Sequence, residues 1–184
     1  MFDVRQIPRL ETERLVLRGW RVEDFEPFAA MMAEPDVARF LTADQQPPDR
    51  AAAWRGMSML VGHWAMLGCG MFVVEEKATG AFCGRVGPWK PEGWLGFELG
   101  WGLDRRFWGK GYATEAARAA GDWAFATQGI DGVMSLIHVD NKGSQGVAMR
   151  LGMKPAERTL HVGLPHVVWR ISRTEWEART SPRP

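Results

Sequence analysis

Residues 94–116 read WLGFELGWGLDRRFWGKGYATEA. An alternating run leads into a short charged turn, and the turn leads into an alanine-rich stretch of helical character. By parity, residues 94–103 form a strand with two unlike faces. Leu95, Phe97, Leu99, Trp101 and Leu103 make an apolar face suited to a core. Trp94, Gly96, Glu98, Gly100 and Gly102 make the other, where three glycines surround one carboxylate. Glycine weakens a strand interior, so it marks a bulge or a close approach by backbone or ligand. Two readings of that face stay open. Either a ligand lies along it with Glu98 turned toward it, or the glycines admit a closely packed helix and Glu98 is a solvated or ion-paired acid.

The turn that follows has the makings of an anion cradle. A strand-to-helix junction exposes unpaired N–H groups at the positive end of the helix dipole. Gly109 and Gly111 let an anion approach that backbone closely, and Arg105, Arg106 and Lys110 add positive charge. Ala113, Ala116, Ala117 and Ala120 let the helix sit close to the sheet. Two familiar cradles fail. A P-loop needs Gly-x-x-x-x-Gly-Lys-Ser/Thr, but Gly111 follows Lys110 here and Asp104 stands at the first glycine. A dinucleotide fingerprint needs a third glycine, and Thr114 occupies its place; Asp140 could mimic the ribose acid, but the turn does not open a βαβ unit.

Outward from this centre the periodicities give the remaining elements. Strands are expected at residues 14–20, 71–76, 81–89, 133–140, 154–162 and 166–172, and helices at 22–33, from Pro35 to about 41, 50–66, 109–128 and 142–151. The hairpin 154–172 turns at Gly163-Leu164-Pro165. The resulting order, β-α-α-α-β-β-β-α-β-α-β-β, describes an α/β chain whose sheet carries helices on its faces. Its 184 residues suit a single domain over 1–179, with 180–184 read as a disordered tail.

Composition narrows the function classes. A net charge of +1 gives no overall field for nucleic acid or an anionic membrane, so attraction for an anion must be local. No apolar run reaches the length of a bilayer span, and the mixed N-terminus lacks the apolar core of a signal peptide; a cytoplasmic location is the default. Cys69 and Cys83 are the only cysteines, too few for a closed zinc site, and they read as buried packing residues. His63, His138, His161 and His166 show no metal-ligand spacing, so no metal is expected; His138, in an apolar strand, reads as a satisfied core residue.

Three motifs in order resemble the GNAT superfamily of N-acetyltransferases, and within it the Rim-type branch of ribosomal-protein N-terminal acetyltransferases. Arg106-x-x-Gly109-x-Gly111, extended through Trp108 to Ala116, is similar to the superfamily signature. Leu10-Glu11-Thr12-Glu13-Arg14-Leu15-Val16-Leu17-Arg18 is similar to the branch's opening. Asp140-Asn141 through Ser144 to Leu151-Gly152-Met153 is similar to its later motif. The resemblance implies a GNAT-type mixed, mostly antiparallel sheet of about seven strands, split near the cofactor, with helices on both faces.

It also implies acetyl-CoA as cosubstrate and a primary amine as acceptor: a protein or peptide N-terminus or a small molecule. Backbone from Trp108 through Gly109, Lys110, Gly111, Tyr112 and Ala113, with Arg106, is expected to hold the pyrophosphate. Pantetheine is expected between the strand ending at Leu103 and residues 133–140, pried apart by a bulge, with Asn141 on the arm and Ser144 near the sulfur. The tyrosine that many members use to protonate the departing thiolate is replaced by Ala148. Tyr112, the only tyrosine, lies in the phosphate turn, so Ser144 or water is left to supply that proton. Glu98 is the candidate general base. An acyl-carrying Cys83 is the rival mechanism, but the sequence places no histidine near it. A non-catalytic acyl-CoA-binding regulator is the alternative function. Homodimerisation is compatible with the family.

Overall fold

The structure, a computed structural model, describes residues 6–179; the tail assigned to 180–184 lies outside the described residues. Strands β1 (Leu10–Glu11) and β2 (Leu15–Arg18) lead to a 3-10 turn (Val22–Asp24), then to helices α1 (Phe25–Ala33), α2 (Pro35–Leu41) and α3 (Arg50–Leu67). Strands β3 (Phe72–Glu76), β4 (Phe82–Trp89) and β5 (Glu98–Leu103) form a meander that runs through a 3-10 turn (Arg105–Phe107) into α4 (Tyr112–Thr127). Then come β6 (Gly132–His138), α5 (Lys142–Arg150), β7 (Lys154–His161), β8 (Leu164–Ser172) and α6 (Arg173–Ala178).

The sheet has eight strands in the order β1-β2-β3-β4-β5-β6-β8-β7. All neighbours are antiparallel except β5 and β6. The strand beyond the expected seven is β1, whose two residues are too few for alternation to register. Helix α6 was also not anticipated. It is short, but its start is marked: the Ser172 hydroxyl and the Glu175 carboxylate cap each other's backbone, a capping box. The last hairpin turns at Val162 and Gly163, both with positive φ (46° and 79°). That two-residue primed turn leaves Leu164 and Pro165 in β8.

Apolar residues pack in two layers. Beneath the sheet, α4 and α5 present Ala116, Ala117, Ala120, Val147 and Ala148 to Leu15, Leu17, Val86 and Leu99. Above it, Phe25, Phe28, Met31, Met57 and Leu60 from α1 and α3 cover Val73, Phe82 and Trp89. Alanines let α4 approach closely, and at Gly121 the contact is closer still: an added Cβ would stand 2.4 Å from the Trp176 ring of α6.

The decisive strand is shorter than parity implied. It starts at Glu98, because residues 94–97 lie in a bent segment after the Pro91–Gly93 turn. Leu95, expected in the core, is 52% exposed, and Trp101 is half-buried, turned toward α5. Leu99 and Leu103 are buried as expected. The glycine face accommodates close packing. A Cβ at Gly102 would lie 2.8 Å from Leu41 of α2, and one at Gly100 2.7 Å from the Met71 methyl. No bulge interrupts β5, whose register with β4 is unbroken from Glu98 to Leu103.

The Trp176–Gly121 contact yields a stability test. Alanine in a helix interior normally gains about 1 kcal/mol over glycine. At Gly121 that gain is reversed, with a net loss of roughly 1–3 kcal/mol from overpacking, read as a lower urea midpoint for Gly121→Ala.

Candidate functional site

The site is built where the sheet opens. Strands β5 and β6 form a single bridge, Glu98 opposite Met134, with the Met134 N–H donating to the Phe97 carbonyl at 2.9 Å. Beyond it the strands part. Odd-numbered carbonyls turn toward β6, with Phe97 O accepting from the Met134 N–H, while the even-numbered Asp104 N–H donates to Cys83 O of β4; by that alternation the peptide groups of Leu99, Trp101 and Leu103 face the gap. Side chains satisfy two of those carbonyls: the Ser135 hydroxyl donates to Leu99 O at 2.6 Å and the Trp108 indole to Leu103 O at 2.8 Å. The Trp101 peptide lies between them, facing the gap.

Below the gap the chain turns into α4. Asp104 accepts from the Arg106 N–H at 2.9 Å and so starts the 3-10 turn. Gly109 and Gly111 take left-handed φ of 74° and 80°, which explains glycine at both. Gly111 is the N-cap of α4 and offers no side-chain acceptor; the first helical bond runs from the Glu115 N–H to Gly111 O. Among the described residues the amides of Gly109 to Thr114 have no backbone partner at the positive end of the helix, whereas the Trp108 N–H, expected to join them, donates to Arg105 O at 3.1 Å. A clamp fixes the turn: Arg14 donates to Lys110 O at 3.0 Å and to Glu115 Oε2 at 2.7 Å, while the Thr12 hydroxyl donates to Glu115 Oε1 at 2.6 Å.

This turn borders an open cleft of about 810 Å³ lined by Trp108, Gly109, Gly111, Tyr112 and Ala113, and by Asn141, Ser144 and Arg150 from the α5 side. Two expected residues stand off its wall. The Arg106 guanidinium pairs with Asp104 at 2.8 Å, and the Lys110 ammonium lies over the Phe107 and Tyr112 rings, at 4.9 and 5.8 Å. Tyr112 contributes backbone; its hydroxyl points away, donating to Glu76 at 2.6 Å. Arg14 and Arg150 carried no distinct signal, although Arg14 sits in the Thr12-Glu13-Arg14 motif, and the clamp is the physical reason that motif and Glu115 belong together.

A second cavity, of about 400 Å³, lies on the α2–α3 side of the same strand and holds Glu98, Arg85, Trp94, His138, His161 and His166. Phe40, Leu41, Trp101, Asn141 and Ser144 line both spaces and mark their junction. Asn141 caps α5, its Oδ1 accepting from the Ser144 N–H at 3.0 Å. Ser144 Oγ accepts from the Trp101 indole at 3.1 Å, which leaves its own O–H free to donate. Ala148 is fully buried and lines neither space.

Glu98 is buried rather than solvated. Burial pushes its carboxyl up to about 7, against the N–H of Leu136, the Trp94 indole and Arg85, all of which favour the charged form. Trp94 donates at 2.7 Å and Leu136 N–H at 3.2 Å. A carboxyl poised there can take up or release a proton near neutrality. His138 is satisfied, with Nδ1 accepting from the Asp140 N–H at 3.1 Å, and His63 bridges Cys69 O and the Lys90 N–H. Cys69 and Cys83 are buried, and burial pushes their thiols up to about 11 and about 12. Among the described residues no cluster of His, Cys, Asp or Glu is placed to hold a metal ion, and no helix is long and apolar enough to cross a membrane.

A family model for the acetyltransferase (GNAT) domain matches residues 14–154. The Bacillus subtilis protein YkkB is 32% identical over 150 residues, covering 79% of this chain and 84% of that protein. An acetyltransferase of Agrobacterium tumefaciens superposes with a TM-score of 0.79 at 31% identity, covering 91% of this chain and 96% of that one. Mycobacterium smegmatis RimJ, solved in complex with CoA-disulfide, shares the fold at a TM-score of 0.73 and 18% identity, covering 92% and 88% of the two chains.

Glu98 sets a pH signature on stability. Its folded pKa lies above the ordinary 4.5, so the protonated carboxyl favours the folded state below about 4.5, and that advantage is lost as pH rises through about 7. Relative to Glu98→Gln, the wild type should lose roughly 3 kcal/mol between pH 4.5 and 8. Urea midpoints of both proteins at the two pH values check this, since any constant cost of the amide cancels in the difference.

Proposed function

The chain belongs to the GNAT acetyltransferase family, and on that premise we propose that it moves an acetyl group from acetyl-CoA to a primary amine by direct attack in a ternary complex. The observation that carries the reading is continuity. The free amides at the start of α4 open onto a cleft that runs past Asn141 and Ser144 into the cavity holding Glu98.

In this reading the amides of Gly109 to Ala113 hold the pyrophosphate at the helix N-terminus, since the Trp108 N–H is already given to Arg105 O, with Arg106 and Lys110 adding charge from the rim. The Trp101 peptide and Asn141 align the pantetheine arm in the gap; RimJ, which shares the fold, is solved in complex with CoA-disulfide. Glu98, directly or through one water, takes the proton that the ammonium must lose before it attacks. A lysine amine, with a pKa of about 10.4, needs this help more than an α-amine at about 7.7–8.0. The gap-facing Trp101 N–H stabilises the charge that develops on the acetyl oxygen. As the carbon–sulfur bond breaks, Ser144 gives its proton to the sulfur and takes in return the second proton, which the attacking nitrogen sheds as the amide forms. That need is modest, because a free thiol of pKa about 8.5 is already a fair leaving group near neutrality. Cys83 is buried with its thiol pushed up to about 12 and is unsuited to carry the acetyl group.

Steady-state CoA release against an amine panel tests the reading. Intersecting double-reciprocal lines are expected; parallel lines indicate an acyl-enzyme. Glu98→Gln should lower kcat by about 10²-fold and remove an inflection near pH 7, and Ser144→Ala should have a smaller effect on kcat. A chain that binds acetyl-CoA and releases no CoA with any amine is the non-catalytic regulator instead. Full kcat across pH in Glu98→Gln would remove that residue from the role of base.

A further inference from the structure

On the face of the sheet that carries Glu98, β4 and β5 pair Arg85 with Gly102, Gly87 with Gly100, and Trp89 with Glu98. Arg85 and Glu98 thus leave the sheet on the same side, with only glycines between them at the paired positions. Both line the cavity of about 400 Å³. Their surroundings differ. Each oxygen of Glu98 accepts a hydrogen bond from the protein. Arg85 is half-buried, has no hydrogen bond or ion pair among the described residues, and holds its Nε enclosed without a partner.

Glu98 is near enough to act on the guanidinium electrostatically, but no hydrogen bond joins the two, the bonds of Glu98 going to Trp94 and Leu136. Buried charge in proteins is ordinarily paired or neutralised, and a guanidinium cannot shed its proton. The cavity therefore holds an arginine fork lacking an anion. The other charged and titratable groups lining it are Arg39 and the three histidines, and Glu98 is the single carboxylate. A polycationic amine would meet mostly like charge there.

We propose that the acceptor is a small amino carboxylic acid, of the size of an amino acid or short peptide, whose carboxylate pairs with Arg85 while its amine faces Glu98 and the Ser144 junction. Two parallel N–H···O bonds suit a carboxylate to a guanidinium and fix where the amine lies. The inference rests on reading this cavity as the acceptor site of an acetyltransferase.

The test uses matched pairs. Amino acids and dipeptides, each with its carboxamide, are offered with acetyl-CoA to the wild type, Arg85→Met and Arg85→Lys, and CoA release is measured. In the wild type the carboxylate should exceed its amide by at least about tenfold in kcat/KM, chiefly through KM, a margin one charge-assisted hydrogen bond supplies. Arg85→Met should bring the ratio to about one, and Arg85→Lys should keep part of the preference. The melting temperature of Arg85→Met without acceptor should be no lower than that of the wild type, because a half-buried cation whose enclosed Nε has no partner is removed. Carboxylates that fail to outperform their amides, whether both react or neither does, overturn the proposal. So does a preference that survives in Arg85→Met, or a melting temperature several degrees lower in that variant, which marks a structural cation. Loss of acetyl-CoA binding by the wild type would instead remove the reading beneath it.

Discussion

Strands β5 and β6 touch at one residue pair and then separate, and the rest of the site depends on that separation. A strand edge in a protein interior cannot leave its peptide groups unpaired, so each gap-facing group of β5 needs a substitute partner. Ser135 answers Leu99 and Trp108 answers Leu103, and Glu98 reaches across to take the Leu136 N–H from the other edge. These bonds hold the two edges apart at a fixed width. The Trp101 peptide is left facing the gap, at the junction of the two cavities.

The turn below depends on a second constraint. An uncapped helix start with two left-handed glycines is a poor rigid element by itself, since glycine adds freedom to the unfolded chain. Rigidity comes from outside the turn, through Arg14 and Thr12 closing on Glu115 and Lys110. The amides are thereby arranged before any anion arrives, which lowers the ordering cost of binding one. Arg106 and Lys110, engaged by Asp104 and by aromatic rings, leave the cleft wall to backbone.

The sequence made the frame legible where periodicity ran long. Helices α3, α4 and α5 and strands β3, β4 and β6 fall within a few residues of expectation, because their apolar spacing is unbroken. The two-residue β1 and the six-residue α6 are too short to carry a period. The parity of residues 94–103 failed at its start, because alternation means nothing across a bend and a turn precedes Glu98. Gly109 and Gly111 were legible as a special turn between a strand and a helix, and both take a left-handed φ there. The environment of Glu98 was not. Burial and donors from Trp94 and Leu136 are tertiary facts, and a lone glutamate between glycines reads equally well as a surface acid. Arg85 gave no sign at all, being one arginine in an apolar strand whose partner is missing only in three dimensions.

The central claim is that the free amides at the start of α4 and the gap above them take acetyl-CoA. Thermal unfolding with acetyl-CoA, CoA, NAD and ATP at equal concentration tests it most directly. A ligand at about one hundred times its Kd stabilises the native state by roughly 2.7 kcal/mol. Acetyl-CoA and CoA should each raise the unfolding midpoint, while NAD and ATP leave it unchanged. A rise with NAD alone, or with none of the four, would contradict the assignment of the turn and the mechanism built on it.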